Sequence, residues 1–430
     1  MQFHLLSFEG PDPYARAGGI ASRIDGLMAA LEEVGHEAHL WFVGDPSFPG
    51  HEQRTSQLHL HRWCQWISAH HPLGVYDGEA GKERDYAASL PPFLVDQYLV
   101  PALESGEHVA VLAEDWQTVH AVLHLDWLLR ARGLRHRVDL LWNANNSFGF
   151  ERIPWNLLSA AATLTTVSRY MRQRMWTLGV DPLVIPNGLG PDAYAIPVPE
   201  HRNELRRRLR GRTLLAKVAR WDPDKRWMNA IEITAELRRE QWKPLLVARG
   251  GVEAHGSEVL ERARLLGLRV VERSIHRAGE RGLLDALVRT DDADVLLLTS
   301  HLDAAARRLL LRGAHAVLAN SGHEPFGLVG LETMAAGGLA CTGGTGEDYA
   351  APGRNSLVLQ SEDPQEFVGL FARLRGDSML EADIRRSARR TARDYAWPEI
   401  VHRNLVPRLA LPRDATERSL GSDLQACALA

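Results

Sequence analysis

The chain is poor in cysteine, has no long apolar run and carries no large excess of charge of either sign. Its three cysteines, Cys64, Cys341 and Cys427, stand far apart without metal-ligand spacing. That argues against a disulfide scaffold or a zinc site, so no metal is expected, and it favours a reducing cytosol. No segment approaches the roughly 20 apolar residues that span a bilayer. The opening MQFHLLSFEG lacks the basic start of an export signal, and its apolar run is too short for one. A soluble, cytoplasmic protein is expected, with peripheral membrane contact left open. The 50 basic and 54 acidic residues nearly balance, which gives no reason to expect a nucleic-acid partner. What is present is length: 430 residues are too many for one ordinary core and suit two domains of roughly 200 each.

Read in order, Gln2 to Phe8 forms a strand, GPDPYARAGGIAS a loop, Arg23 to Val34 a helix and His36 to Val43 a second strand. This βαβ unit implies a parallel sheet with helices on both faces. Gly18 and Gly19 fall at the strand-to-helix turn, where such folds bind ligands; a merely flexible loop is the plainer reading. The stretch from Asp45 to about Asp96 reads as irregular. Within it Trp63, Trp66, His70 and His71, with Tyr76, Asp77, Glu79 and Lys82, either line a pocket or pack a core. The strand Val138 to Trp142 ends in NANNSFGF, which puts Asn143, Asn145 and Asn146 at its carboxyl end. These asparagines either shape a turn or face a ligand.

A second α/β series follows the basic helix NELRRRLRGR, which reads as a solvated face. Strands are expected at Leu214 to Val218, Leu245 to Arg249, Arg269 to Glu272 and Val295 to Thr299. The loop ARWDPDKRW sets Arg220 and Lys225 on either side of a proline turn, where two fixed cations suit a diphosphate or are ordinary surface charges. Asp222 and Asp224 are explained by turn chemistry.

The densest stretch is Asn320 to Gly346, NSGHEPFGLVGLETMAAGGLACTGGTG. A turn leads into a short helix and then a glycine loop, an arrangement suited to phosphate because helix-start amides attract anions and glycine permits close approach. Glu324 and Glu332 repel phosphate, so hydroxyls are their natural ligands. A molecule that offers both groups is a nucleotide sugar.

Taken together, these residues resemble the family-4 retaining glycosyltransferases of GT-B fold, the group of glycogen, sucrose and trehalose synthases. The resemblance rests on the E-x7-E motif from Glu324 to Glu332 and the Arg220/Lys225 pair. Gly18 with Gly19, SRYMRQRM with PNG, and DYAWPEIV complete it. It implies an α/β chain of two Rossmann-like domains with parallel sheets facing across a cleft. Residues 1–190 would form the acceptor-side domain, 191–394 the nucleotide-sugar domain, 395–412 a helix crossing back, and 413–430 a disordered tail.

The resemblance also implies roles. Arg220 and Lys225 would neutralise the diphosphate, Glu324 would meet the sugar hydroxyls and Glu332 would hold the ribose. Backbone near Phe326, Gly327 and Leu328 would add amide donors, and the region from Arg249 to Val252 would meet the base. Many members carry a histidine where this chain has Asn145, and another common histidine position is Glu114 here. Asn145 would then orient the acceptor, or His120 would substitute. The reaction implied is hexosyl transfer with retention from a nucleoside diphosphate sugar to a hydroxyl acceptor, whether sugar, polyol, glycan or lipid-linked, with no metal or other cofactor required. A nucleotide-sugar epimerase, a GT-B phosphorylase and a catalytically impaired sugar-nucleotide-binding protein are the alternatives.

Overall fold

The computed structural model describes residues 1–409; the tail expected beyond Pro412 lies outside them. Eight strands form the first sheet. They are β1 (Gln2–Leu6), β2 (Glu37–Val43), β3 (His51–Gln53), β4 (Leu58–Trp63), β5 (Val109–Glu114), β6 (Val138–Ala144), β7 (Thr163–Thr166) and β8 (Leu183–Val184). Their order is β3-β4-β2-β1-β5-β6-β7-β8. The pairings from β4 through β6 are parallel, and β3 runs antiparallel to β4.

Seven strands form the second sheet: β9 (Thr213–Val218), β10 (Pro244–Arg249), β11 (Val270–Arg273), β12 (Val295–Leu298), β13 (Ala316–Ala319), β14 (Ala340–Thr342) and β15 (Leu357–Val358). The order is β11-β12-β10-β9-β13-β14-β15, parallel throughout. Its central strands are largely apolar, as burial of both faces requires, with Lys217 in β9 the charged exception inside the sheet. On one face Leu215, Leu246, Ala248, Leu297 and Leu318 pack with Trp227, Phe367 and Phe371. On the other, Leu214, Ala216, Leu245, Val247, Leu296 and Val317 pack with Leu283, Leu309 and Leu310. The two parallel α/β sheets expected from the sequence are present.

The chain divides into two compact units. Among the described residues, one comprises Met1–Asn143, Phe148–Thr165 and residues 398–409; the other comprises Ala144–Ser147 and Thr166–Trp397.

Three local expectations are corrected. The stretch from Asp45 to Asp96 is not irregular: it holds β3, β4 and the helix Glu79–Leu94. Its β4 alternates leucine with histidine in LHLHRW, a period of two that marks a strand despite the polar composition. The first helix begins at Gly19 rather than Arg23, because Glu9 accepts hydrogen bonds from the amides of Gly18 and Ala21 at 2.9 and 3.0 Å and so holds its first turn. Finally, β13 and β14 were not expected as strands. They are four and three residues long and adjoin or lie within the turn and glycine loop of 320–346, whose turn signals dominate the local sequence.

Candidate functional site

In the second sheet β9 is flanked by β10 on one side and β13 on the other. The strand order reverses there, and in open α/β sheets ligands bind outside the carboxyl ends of the strands at that point. The two loops that leave these ends are 219–226 and 320–327. They contain Arg220, Lys225, Glu324, Phe326 and Gly327.

The loops are fastened to each other. Asp222 caps the short turn Pro223–Lys225 by accepting from the amide of Asp224 at 2.9 Å. Asp224 then reaches across: its carbonyl accepts from Gly322 N at 2.7 Å, and its Oδ1 accepts from His323 N at 3.1 Å and lies 3.0 Å from His323 Nδ1. The acidic pair is thus turn and buttress. Arg226 adopts a left-handed conformation with φ +50°, which costs a non-glycine residue about 1 kcal/mol. It directly follows Lys225, whose Nζ lies 2.6 Å from Glu324 Oε2. Two of the residues singled out from the sequence, 99 positions apart, therefore form an ion pair at the switch point. Arg220, in the same loop, is exposed.

The other residues of the stretch build the floor. Phe326 is buried against the rings of Tyr349 and Tyr395, so its side chain is core and only its backbone is available to a ligand. Gly327 has φ +76° and precedes the helix Leu328–Ala336, whose first amides have no partner within the helix. Glu332 lies on this helix in contact with Arg307. At the end of β10, Arg249 Nε donates to Ser300 O at 2.6 Å, and Val252 is fully exposed.

Two residues here were not singled out from the sequence. Lys217, in β9, is buried, and its Nζ donates to Leu318 O and Asn320 Oδ1, each at 3.0 Å. Burial brings its ammonium down to about 7, with Lys225 and Arg226 adding to the effect. Glu347 is 5 % exposed, and the amides of Thr345 and Glu347 approach it without closing a hydrogen bond of normal geometry. Burial pushes its carboxyl up to about 8, and the charge of Glu324 pushes in the same direction. The available signal was placement alone: Lys217 is a charge inside an apolar strand, and Glu347 follows the glycine loop directly.

Gly18 and Gly19 lie in the first unit, where the amide of Gly18 already donates to Glu9, itself held by the Tyr76 hydroxyl at 2.7 Å. Glu114 is buried and paired with Arg23 at 3.1 Å, and it accepts from Asn143 Nδ2 at 2.8 Å. Asn143 Oδ1 accepts in turn from Thr165 at 3.0 Å. These two groups complete a buried network. Asn145 follows directly on β6. His120 is exposed, 3.9 Å from Glu83. Within the excursion Lys82 is fully buried, donating to Tyr14 and to the carbonyls of Gly74 and Val75. Trp63 packs on Trp41 and Phe93, whereas Trp66 is exposed.

No protein-family profile and no curated protein matches the sequence. Solved structures do resemble the fold. Sucrose-phosphate synthase from Thermosynechococcus elongatus superposes with a TM-score of 0.62 at 18 % identity, covering 99 % of both chains. The catalytic domain of starch synthase IV from Arabidopsis thaliana, bound to ADP and acarbose, gives 0.64 at 15 % identity over 95 % of this chain and 99 % of that one. An α,α-trehalose-phosphate synthase (UDP-forming) from Burkholderia xenovorans, in complex with glucose-6-phosphate, gives 0.61 at 14 % identity over 94 % of this chain and all of the other. At such identities the likeness is one of architecture, and it extends over nearly the whole chain: this protein is built on the GT-B fold of those glycosyltransferases.

Proposed function

We propose that the protein is a retaining glycosyltransferase that moves a hexosyl unit from a nucleoside diphosphate sugar to a hydroxyl acceptor. The observation that carries this reading is the Lys225–Glu324 pair at the β9/β13 switch point, beside the start of a helix. It sets one cation and one carboxylate where a ligand must be met by both. An incoming diphosphate draws Lys225 toward its oxygens. Glu324 is then released to accept hydrogen bonds from sugar hydroxyls, while Glu332 serves the ribose.

As the bond to the anomeric carbon breaks, negative charge grows on the leaving diphosphate. Arg220, Lys225 and the amides of Gly327 and Leu328 oppose that charge more strongly in the transition state than in the bound substrate. The departing phosphate oxygen takes the acceptor's proton on the same face, and Asn145 orients the acceptor. The fixed cations do the electrostatic work a metal would otherwise supply.

Lys225→Ala and Arg220→Ala should each lower transfer by roughly 100-fold or more. The melting temperature should hardly move in Arg220→Ala, whose side chain is exposed, and should fall only modestly in Lys225→Ala, which leaves the partly covered Glu324 without its cation. A thermal-shift panel of nucleotides and nucleotide sugars identifies the donor, since a ligand of the native state raises the melting temperature. Transfer at near-normal rates in either variant sinks the assignment. Donor consumption without an acceptor product favours the epimerase alternative, and binding without turnover favours the impaired binding protein.

A further inference from the structure

The first sheet carries a group of histidines that the proposed reaction does not use. His4, His39 and His59 stand side by side on β1, β2 and β4, because the register pairs His4 with His39 and His39 with His59. One step along, His61 of β4 pairs with Trp41 and with His51 of β3. Residues in register, and residues two apart on a strand, project from the same face. Glu37, two positions before His39, therefore joins the row.

Three of these side chains converge. His39 Nε2 lies 3.0 Å and His59 Nε2 3.7 Å from Glu37 Oε1, and one ligand atom from each residue falls within 4.8 Å of the others. A tetrahedral zinc ion with bonds of about 2.0–2.1 Å holds its ligand atoms about 3.3 Å apart. The two separations from Glu37 Oε1, 3.0 and 3.7 Å, lie on either side of that spacing before any ion is placed among them.

We propose that Glu37, His39 and His59 form a binding site for a divalent first-row transition ion, zinc by the chemistry of its ligands. Two imidazoles and a carboxylate suit that class rather than magnesium or calcium, which prefer all-oxygen sets. The surroundings support the assignment. His39 Nδ1 lies 3.1 Å from His61 Nε2; an ion at Nε2 would take the place of the proton that Nε2 shares with Glu37 and would put the ring proton on Nδ1, donated to His61. His61 is in turn stacked on Trp41, with ring centroids 3.8 Å apart and planes 8° from parallel, so the orienting residue is rigid. The site opens outward, since the Glu37 side chain is 35 % and that of His59 14 % exposed.

The rings of His39 and His59 lie 12° from parallel, so the ion must turn His59 about its Cβ–Cγ bond to aim Nε2. That turn gives up its stacking between His39 and His51. Once closed, the site ties β2 to β4 through side chains in addition to their backbone pairing.

The test is a calorimetric titration of the full-length protein with Zn2+, with Mg2+ as a second probe. One Zn2+ should bind per chain and raise the melting temperature, while Mg2+ does neither. Glu37→Gln and His59→Gln should each weaken Zn2+ binding about tenfold or more without lowering the metal-free melting temperature, and His51→Gln should leave it unchanged. With Co2+ the wild-type protein should show the intense d–d absorption of a four- or five-coordinate ion. The proposal is overturned by absent one-to-one Zn2+ binding, by equal binding in Glu37→Gln and His59→Gln, or by the weak cobalt spectrum of an octahedral, water-ligated ion.

Discussion

Glu347 is a carboxyl in an environment that its type avoids, buried and, among the described residues, without a cation of its own. A carboxyl in water ionises near 4.5, whereas this one, buried beside Glu324, is held up at about 8. In the folded protein it keeps its proton at pH values where the unfolded chain has lost it. The resulting stability is fully present below about pH 4.5 and falls as the pH rises through about 8, by a few kcal/mol at most. Glu347→Gln, which fixes the neutral form, should remove that loss. Urea denaturation at pH 5.5 and 8.5 checks this: wild type should lose stability between the two and the variant should lose markedly less. Equal losses would show that Glu347 ionises without penalty and that its pocket is wetter than its burial implies. Protonated at neutral pH, Glu347 is a hydrogen-bond donor beside the Lys225–Glu324 pair, which neither Glu324 nor Glu332 can be while ionised.

At the scale of elements, the turn before the helix Leu328–Ala336 depends on one backbone conformation. Gly327 sits at φ +76°, and a Cβ there would lie 2.6 Å from Glu347 Cγ and 3.1 Å from the Tyr349 hydroxyl. Gly327→Ala therefore combines a left-handed alanine with a collision and should cost about 1–2 kcal/mol or more. It should also weaken nucleotide binding through a displaced helix start. A denaturation midpoint that does not move would show that this turn relaxes freely. This element also shows what the sequence could reveal. The turn, helix and glycine loop of Asn320–Gly346 were legible because Gly, Pro and the spacing of Glu324 and Glu332 are local signals. The partnership of Lys225 with Glu324 was not, since it depends on β9 and β13 being neighbours, and strand order is not a local signal. Nor was the buried role of Glu114, which needs Arg23 from a distant helix. The histidine row was hidden for the same reason: LHLHRW advertises a strand, but only register places His59 beside His39.

For the molecule as a whole, fold class was the most legible property, because alternating apolar strands and amphipathic helices recur along the chain and the central strands of both sheets are buried. Among the described residues no helix is long and apolar enough to cross a membrane. A practical consequence follows from how charge is placed. The whole chain has only four lysines, Lys82, Lys217, Lys225 and Lys243. Lys82 and Lys217 are sealed in the interior at 0 % and 1 % exposure, leaving Lys225 and Lys243 within reach of solvent. An amine-acylating reagent applied to the native protein should therefore mark two lysine side chains and the terminal amine. One of the two is the proposed diphosphate ligand. Peptide mass spectrometry should find that a bound nucleoside diphosphate shields Lys225 while Lys243 reacts at its usual rate, and equal labelling of both would contradict the assigned role of Lys225. The scarcity of one residue type thus turns a general chemical reagent into a probe of a single site.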